Sequence, residues 1–178
     1  MILRHSGVSR GSLYHHFNDL ADLIETALVR IFTRTVDENI SLMANLLETS
    51  SSPAEFNRSI ELFNEVTQAP ARRAVRFERA RLLGMAYNNP RLTAGLAIQQ
   101  TRLTQSYADL FKKAQERGYF RDDFDPKAAA VLIQAYTLGK IVDDIGSDPV
   151  PQEVWNDLIV QLIRRMFGGE LGGRSVGV

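Results

Sequence analysis

The 178 residues contain no cysteine, which excludes disulfides and thiolate metal sites and suits a reducing compartment. Charge of one sign is also lacking. Twenty-one Lys and Arg balance 21 Asp and Glu, and a general nucleic-acid coat needs a basic surface. A sequence reader with a small footprint is not excluded, because a larger body would dilute its charge. No apolar run reaches membrane-spanning length, and the first residues lack the apolar core and small-residue cleavage pattern of a signal peptide. The expectation is a soluble cytoplasmic protein with no membrane partner. There is no internal repeat, no phosphate-cradling glycine loop and no cluster with metal-ligand spacing. His15 and His16 are adjacent, so on a helix they point roughly a hundred degrees apart and do not readily share a metal. No Ser, His and Asp set suggests acyl transfer. Neither an enzyme nor a cofactor is expected.

What the chain does carry is a 44% hydrophobic composition, enough for a good core in one domain or in a small module attached to a larger body. Its organising stretch is Gly7-Val8-Ser9-Arg10-Gly11-Ser12-Leu13-Tyr14-His15-His16-Phe17. Gly7 supplies the backbone freedom of a sharp turn between helices, Val8 can plug the angle, and Ser9 can cap the following helix. The pattern reads as a helix-turn-helix. The helix after the turn, about Arg10 to His16, is too short to stand alone. Leu13 and Phe17 lie four apart and can pack inward. Ser9, Arg10, Ser12, Tyr14, His15 and His16 project elsewhere and offer the guanidinium, hydroxyl, imidazole and phenol groups that a groove-reading helix needs. The rival reading of these residues is an ordinary helical hairpin with a solvated His pair.

Ser6-Gly7-Val8-Ser9 followed by Leu13-Tyr14-His15-His16-Phe17 and a capped helix resembles the TetR (TetR/AcrR) family of bacterial transcriptional regulators over about Ile2 to Ile31. Two departures stand out. The family places a full helix, usually behind a basic arm, before the helix-turn-helix, whereas here Met1 falls within what should be the second helix. The DNA-binding region is therefore expected to lack its first helix in this sequence. At Leu20 the family commonly has a Lys that meets a phosphate, a contact a Leu cannot make, so binding should rely on Arg10, Tyr14, the imidazoles and helix N-terminal amides.

After the reader, Asn18 or Asp19 can cap a long helix whose apolar positions Leu20, Leu23, Ile24, Ala27, Leu28, Ile31, Phe32 and Val36 keep helical spacing towards Leu47. This helix would pack on the reader with its first half and enter the body with its second. Further helices are predicted from Ala54 to about Thr67, Ala71 to Tyr87, Arg91 to about Arg117, Pro126 to Ile145 and Gln152 to Phe167. Breaks at Ser52-Pro53, Ala69-Pro70, Asn89-Pro90, Gly118 and Asp148-Pro149 separate them. The five arginines between Arg72 and Arg81 read as a solvated face with one or two inward charges, Glu78 pairing with Arg81. The connector from Gly118 to Asp125-Pro126 agrees with the family resemblance.

The fold class expected is all-α: a helix-turn-helix region over 1–36, a helical effector-binding and dimerisation body over 37–167, and a Gly-rich flexible tail over 168–178. Apolar residues nearly all round the helix from Pro126, and a broad stripe on the helix from Gln152, exceed what one chain can cover. Val131, Ala135, Leu138, Val142, Trp155, Leu158, Ile159 and Leu162 are the expected interface of a homodimer. In the family this helix pair builds a two-fold four-helix contact. The resemblance also implies an effector that alters the spacing of two DNA-reading heads on a near-palindromic operator. Its pocket is expected among the helices beginning near Ala54, Ala71, Arg91 and Pro126, with Arg76, Arg81, Tyr87, Gln100, Tyr107, Gln134 and Tyr136 as polar lining. The Phe, Met, Leu and Tyr content suggests an apolar or aromatic small molecule. The expected function is a ligand-responsive repressor; the alternative is a dimeric helical binding protein that has lost DNA affinity.

Overall fold

The computed structural model describes residues 15–168. Its first long element, α1 (Leu20–Glu48), starts where Asp19 accepts the amide of Asp22 at 2.7 Å. Asp22 in turn accepts the backbone N and Nδ2 of Asn18, both at 2.9 Å, so the helix start is closed in both directions. The helix runs unbroken through position 36. From Leu28 onwards its inward face is core: Leu28, Phe32, Val36, Met43 and Leu47 are buried.

Three later helices begin with a capping residue followed by proline, an arrangement that satisfies one orphan amide and removes another. Ser52 caps α2 (Pro53–Gln68) and Asn89 caps α4 (Pro90–Glu116). Asp125 caps α5 (Pro126–Gly139), accepting the Ala128 amide at 2.6 Å. Between α2 and α4, a 3-10 turn (Pro70–Arg72) leads into α3 (Arg73–Ala86). Helix α4 stops at Gly118, whose φ of 68° is a left-handed value. The Tyr119 amide reaches back to the Ala114 carbonyl at 2.8 Å and the Gly118 amide to Gln115 at 2.9 Å, a Schellman closure.

Helix α4 is the central strut and packs most extensively on α1 and α5. A Cβ built on Gly95 would stand 2.6 Å from Cγ2 of Val29, so the crossing of α1 and α4 depends on glycine's missing side chain. At the far end Phe111, Phe120, Phe124 and Phe167 interlock, with Phe124 and Phe167 rings 4.8 Å apart, and Phe56 joins through Phe120 at 5.1 Å.

The structure corrects one expected element. The helix predicted over Pro126 to Ile145 is interrupted after Gly139 and resumes as the single turn α6 (Ile141–Asp144). Lys140 at the interruption is 3% exposed, with its ammonium on Asp143 and 5.2 Å from the Trp155 ring, while Asp144 turns towards Arg76. These tertiary contacts outweigh helical continuity at a point where Gly139 holds the helix weakly. The last helix, α7 (Gln152–Phe167), lies against α2. Among the described residues no helix is long and apolar enough to cross a membrane.

Candidate functional site

The arginine-rich segment is where the body becomes chemically unusual. Arg72, Arg76 and Arg79 are spaced i, i+4, i+7, which gathers them on one side of the chain as it enters α3. Arg72 reaches Glu38 of α1 at 3.9 Å. Arg76 is 4% exposed and fully engaged: Nε meets Oδ2 of Asp144 at 2.5 Å, Nη2 meets Oδ1 at 2.9 Å, and Nη1 donates to the carbonyls of Thr67 and Ala69. Arg79 differs. Its Nη2 donates to two amide oxygens, Gln100 Oε1 at 3.0 Å and Gln134 Oε1 at 3.4 Å, and its guanidinium lies 5.8 Å from the Phe32 ring centre. Its Nε is buried without a hydrogen-bond partner. Among the described residues no carboxylate pairs with it. Burial lowers the Arg79 pKa, but arginine's ordinary value is so high that the group stays charged.

Gln100, Gln134 and Thr104 extend this cluster inward. Gln100 Nε2 donates to Gln134 Oε1 at 2.7 Å, and Gln134 Nε2 donates to Thr104 Oγ1 at 3.1 Å and to the Ala130 carbonyl at 3.0 Å. Tyr107 is buried nearby, its phenol pushed up to about 12 by burial while the Arg79 charge pulls the other way. Tyr136 donates to Asn64 Oδ1 at 3.1 Å, and burial raises its phenol too.

Open space meets this cluster between α1 and α3. A cleft of about 290 Å³ is walled by Ile31, Phe32, Ala74, Val75 and Leu82, with Arg34, Thr35, Glu38, Glu78 and Arg79 supplying the polar groups. Behind it lies a pocket of about 30 Å³; Thr35, Val75 and Arg79 line both, so the Arg79 side chain helps to partition them.

Several expectations need correction. Of the helices expected to form the pocket, α2, α3 and α5 enclose with α1 only the space of about 30 Å³, and the phenylalanine-lined space among α2, α4, α5 and α7 is about 10 Å³; the larger cleft lies between α3 and α1, a helix outside the expected set. Arg81 lies outside, paired with Glu78 at 3.0 and 2.6 Å as its spacing predicted, and Tyr87 is 87% exposed; neither turns to the interior. Arg76 is consumed by Asp144. Gln100, Tyr107, Gln134 and Tyr136 do lie inward, the two glutamines directly on Arg79. Arg79 itself was not among the expected lining residues; its place seven after Arg72 and three after Arg76 was the available signal.

Of the expected DNA-contacting residues, Ser9, Arg10, Ser12 and Tyr14 lie outside the described residues. His15 and His16 are exposed, their rings edge to face at 5.3 Å. Of the expected interface residues, Val131, Ala135, Val142, Leu158 and Leu162 are exposed on α5, α6 and α7, and Leu138 is partly buried. Ile159 is 4% exposed within the single chain, and Trp155 turns inward to donate to Gln68 Oε1 at 3.2 Å, so these two belong to the protomer's own packing.

No family model matches the sequence, and no curated protein matches it. Solved structures do match the fold. A chain assigned to the TetR family of transcriptional regulators, from Mesorhizobium loti MAFF303099, superposes with a TM-score of 0.68 at 19% identity, covering 94% of this chain and 84% of the other. The ketosteroid transcriptional regulator KstR2 of Mycobacterium tuberculosis superposes with a TM-score of 0.58 at 18% identity, covering 95% and 83%. The all-α body described above is thus a TetR-like fold.

Proposed function

We propose that the chain is a ligand-responsive transcriptional repressor: two copies set their short recognition helices in successive major grooves of a near-palindromic operator, and a small molecule in the body releases them. The observation that carries this reading is the position of α1. It begins four residues after His16, at the end of the helix-turn-helix pattern, and its middle forms one wall of the cleft. A molecule entering the cleft therefore touches the same rigid element that starts at the reading head. The fold shared with transcriptional regulators supports the reading.

The second copy is expected on the exposed apolar residues of α5, α6 and α7. Val131 and Ala135 are four apart on α5, and Val154, Leu158 and Leu162 are four apart on α7, so each helix offers a continuous stripe. A two-fold axis would make such a surface self-complementary.

A gel shift of the purified protein on the DNA upstream of its own coding sequence tests the reading. A retarded band is expected, with Arg10→Ala or Tyr14→Phe weakening it and Arg10→Ala lowering the salt dependence of log K by about one. No shift at low salt would leave a helical ligand-binding dimer without DNA affinity as the surviving alternative.

A further inference from the structure

The two inward arginines of α3 have had their charges treated differently. Arg76 meets a carboxylate in bidentate geometry, with carbonyls on its remaining nitrogen. Arg79, one turn on, has only amide oxygens, and of its three nitrogens just Nη2 finds an acceptor among the described residues. A partly dehydrated cation facing neutral dipoles is an unfavourable arrangement unless something else supplies the negative charge. Nearby carboxylates do not supply it. Glu38 is directed to Arg72 and Glu78 to Arg81, both at the rim of the cleft. Arg34 adds a second positive group at the mouth, exposed and with no ion-pair partner among the described residues.

We infer that the cleft between α1 and α3 binds a small organic monocarboxylate, whose acid group pairs with Arg79 and whose apolar part lies against Ile31, Phe32, Val75 and Leu82. This names the ligand class of the site in the proposed function and rests on that reading. The volume of about 290 Å³ lies at the small end of ligand pockets, which favours a compact acid over a nucleotide-sized one. The rim carboxylates Glu38 and Glu78 disfavour a dianion such as a phosphate monoester. A carboxylate accepts two parallel N–H groups from a guanidinium, which an amide oxygen cannot do, so acids displace the Gln100 and Gln134 contacts where neutral analogues do not. That exchange connects the ligand to α4 and α5, which carry the two glutamines.

The test is calorimetric titration of the full chain with phenylacetate and octanoate, each beside its neutral amide. Either acid is expected to bind at least tenfold more tightly than its amide. Arg79→Met should bring acid and amide within about twofold, and Arg79→Lys, which keeps the charge, should retain part of the preference. Amides binding as tightly as the acids, a preference that survives Arg79→Met, or no binding of either acid at millimolar concentration would each overturn the inference. Failure of the parent reading shows elsewhere, in ligand-free wild-type protein that does not retard its upstream DNA.

Discussion

Arg76 and Asp144 face each other across α3 and α6 through two parallel bonds of 2.5 and 2.9 Å, and both side chains are nearly closed to solvent. Because neither charge has water to fall back on, the pair behaves as a unit. Removing one partner leaves the other buried and uncompensated, which typically costs about 3–5 kcal/mol. Asp144→Asn should therefore lower the unfolding free energy by an amount in that range, read as a lower urea midpoint with little change in slope. The double variant Arg76→Met with Asp144→Leu should recover much of the loss. A single variant as stable as the parent would mean that the pair is wet.

A second prediction concerns the crossing of α1 over α4. Gly95→Ala puts a methyl 2.6 Å from Val29 Cγ2, and such overpacking typically costs about 1–3 kcal/mol. Gly84, exposed on α3 with nothing within 4 Å of an added Cβ, is the control. Gly84→Ala should stabilise by about 0.5–1 kcal/mol, since it only removes freedom from the unfolded chain. Chemical denaturation of the two variants should thus move in opposite directions.

A third follows from the buried phenols. Folding holds the Tyr107 phenol at about 12, above its unfolded value near 10, so the neutral form is favoured in the native state. Stability from this group is complete below pH 10 and is lost as pH rises from about 10 to about 12, because the unfolded chain gives up the proton first. Phenolate absorbance should show a step that coincides with loss of helical circular dichroism. Tyr107→Phe should shrink that step and flatten the alkaline fall in stability.

A fourth concerns the exposed stripe. Val131 is 52% and Leu158 51% exposed, and a charge at either position costs little in a lone protomer. In a dimer it would be desolvated across the axis. The double variant Val131→Asp with Leu158→Asp should sediment as a monomer with an unchanged melting profile at low concentration. If the wild-type protein is itself monomeric at micromolar concentration, the proposed interface is wrong.

Most of the architecture was legible because its punctuation is local. Ser52-Pro53, Asn89-Pro90 and Asp125-Pro126 carry both cap and proline, and Gly118 sits where only a left-handed residue closes the helix. The interruption after Gly139 was not legible, because it is imposed by Asp144 reaching Arg76 and Lys140 reaching Trp155, partners 68 and 15 positions away. The candidate site was half legible for the same reason. Spacing alone shows that one or two of the five arginines turn inward, but which of them meets a carboxylate depends on what α6 brings opposite. That Phe63, Phe111, Phe120 and Phe167 leave only about 10 Å³ between them was likewise invisible, since aromatic content cannot say whether phenylalanines line a void or fill it.

The glycine at the α1 and α4 crossing makes the long helix a balance beam with a narrow fulcrum. Val29 lies nine residues from Leu20, about 14 Å at 1.5 Å per residue, so tilting the beam by about 10° carries its tip through about 2 Å. A guest that only fills the cleft, without tipping this beam, would occupy the protein silently. Under the proposed function, potency as an inducer should then follow how far a compound pries the beam aside more closely than how tightly it is held.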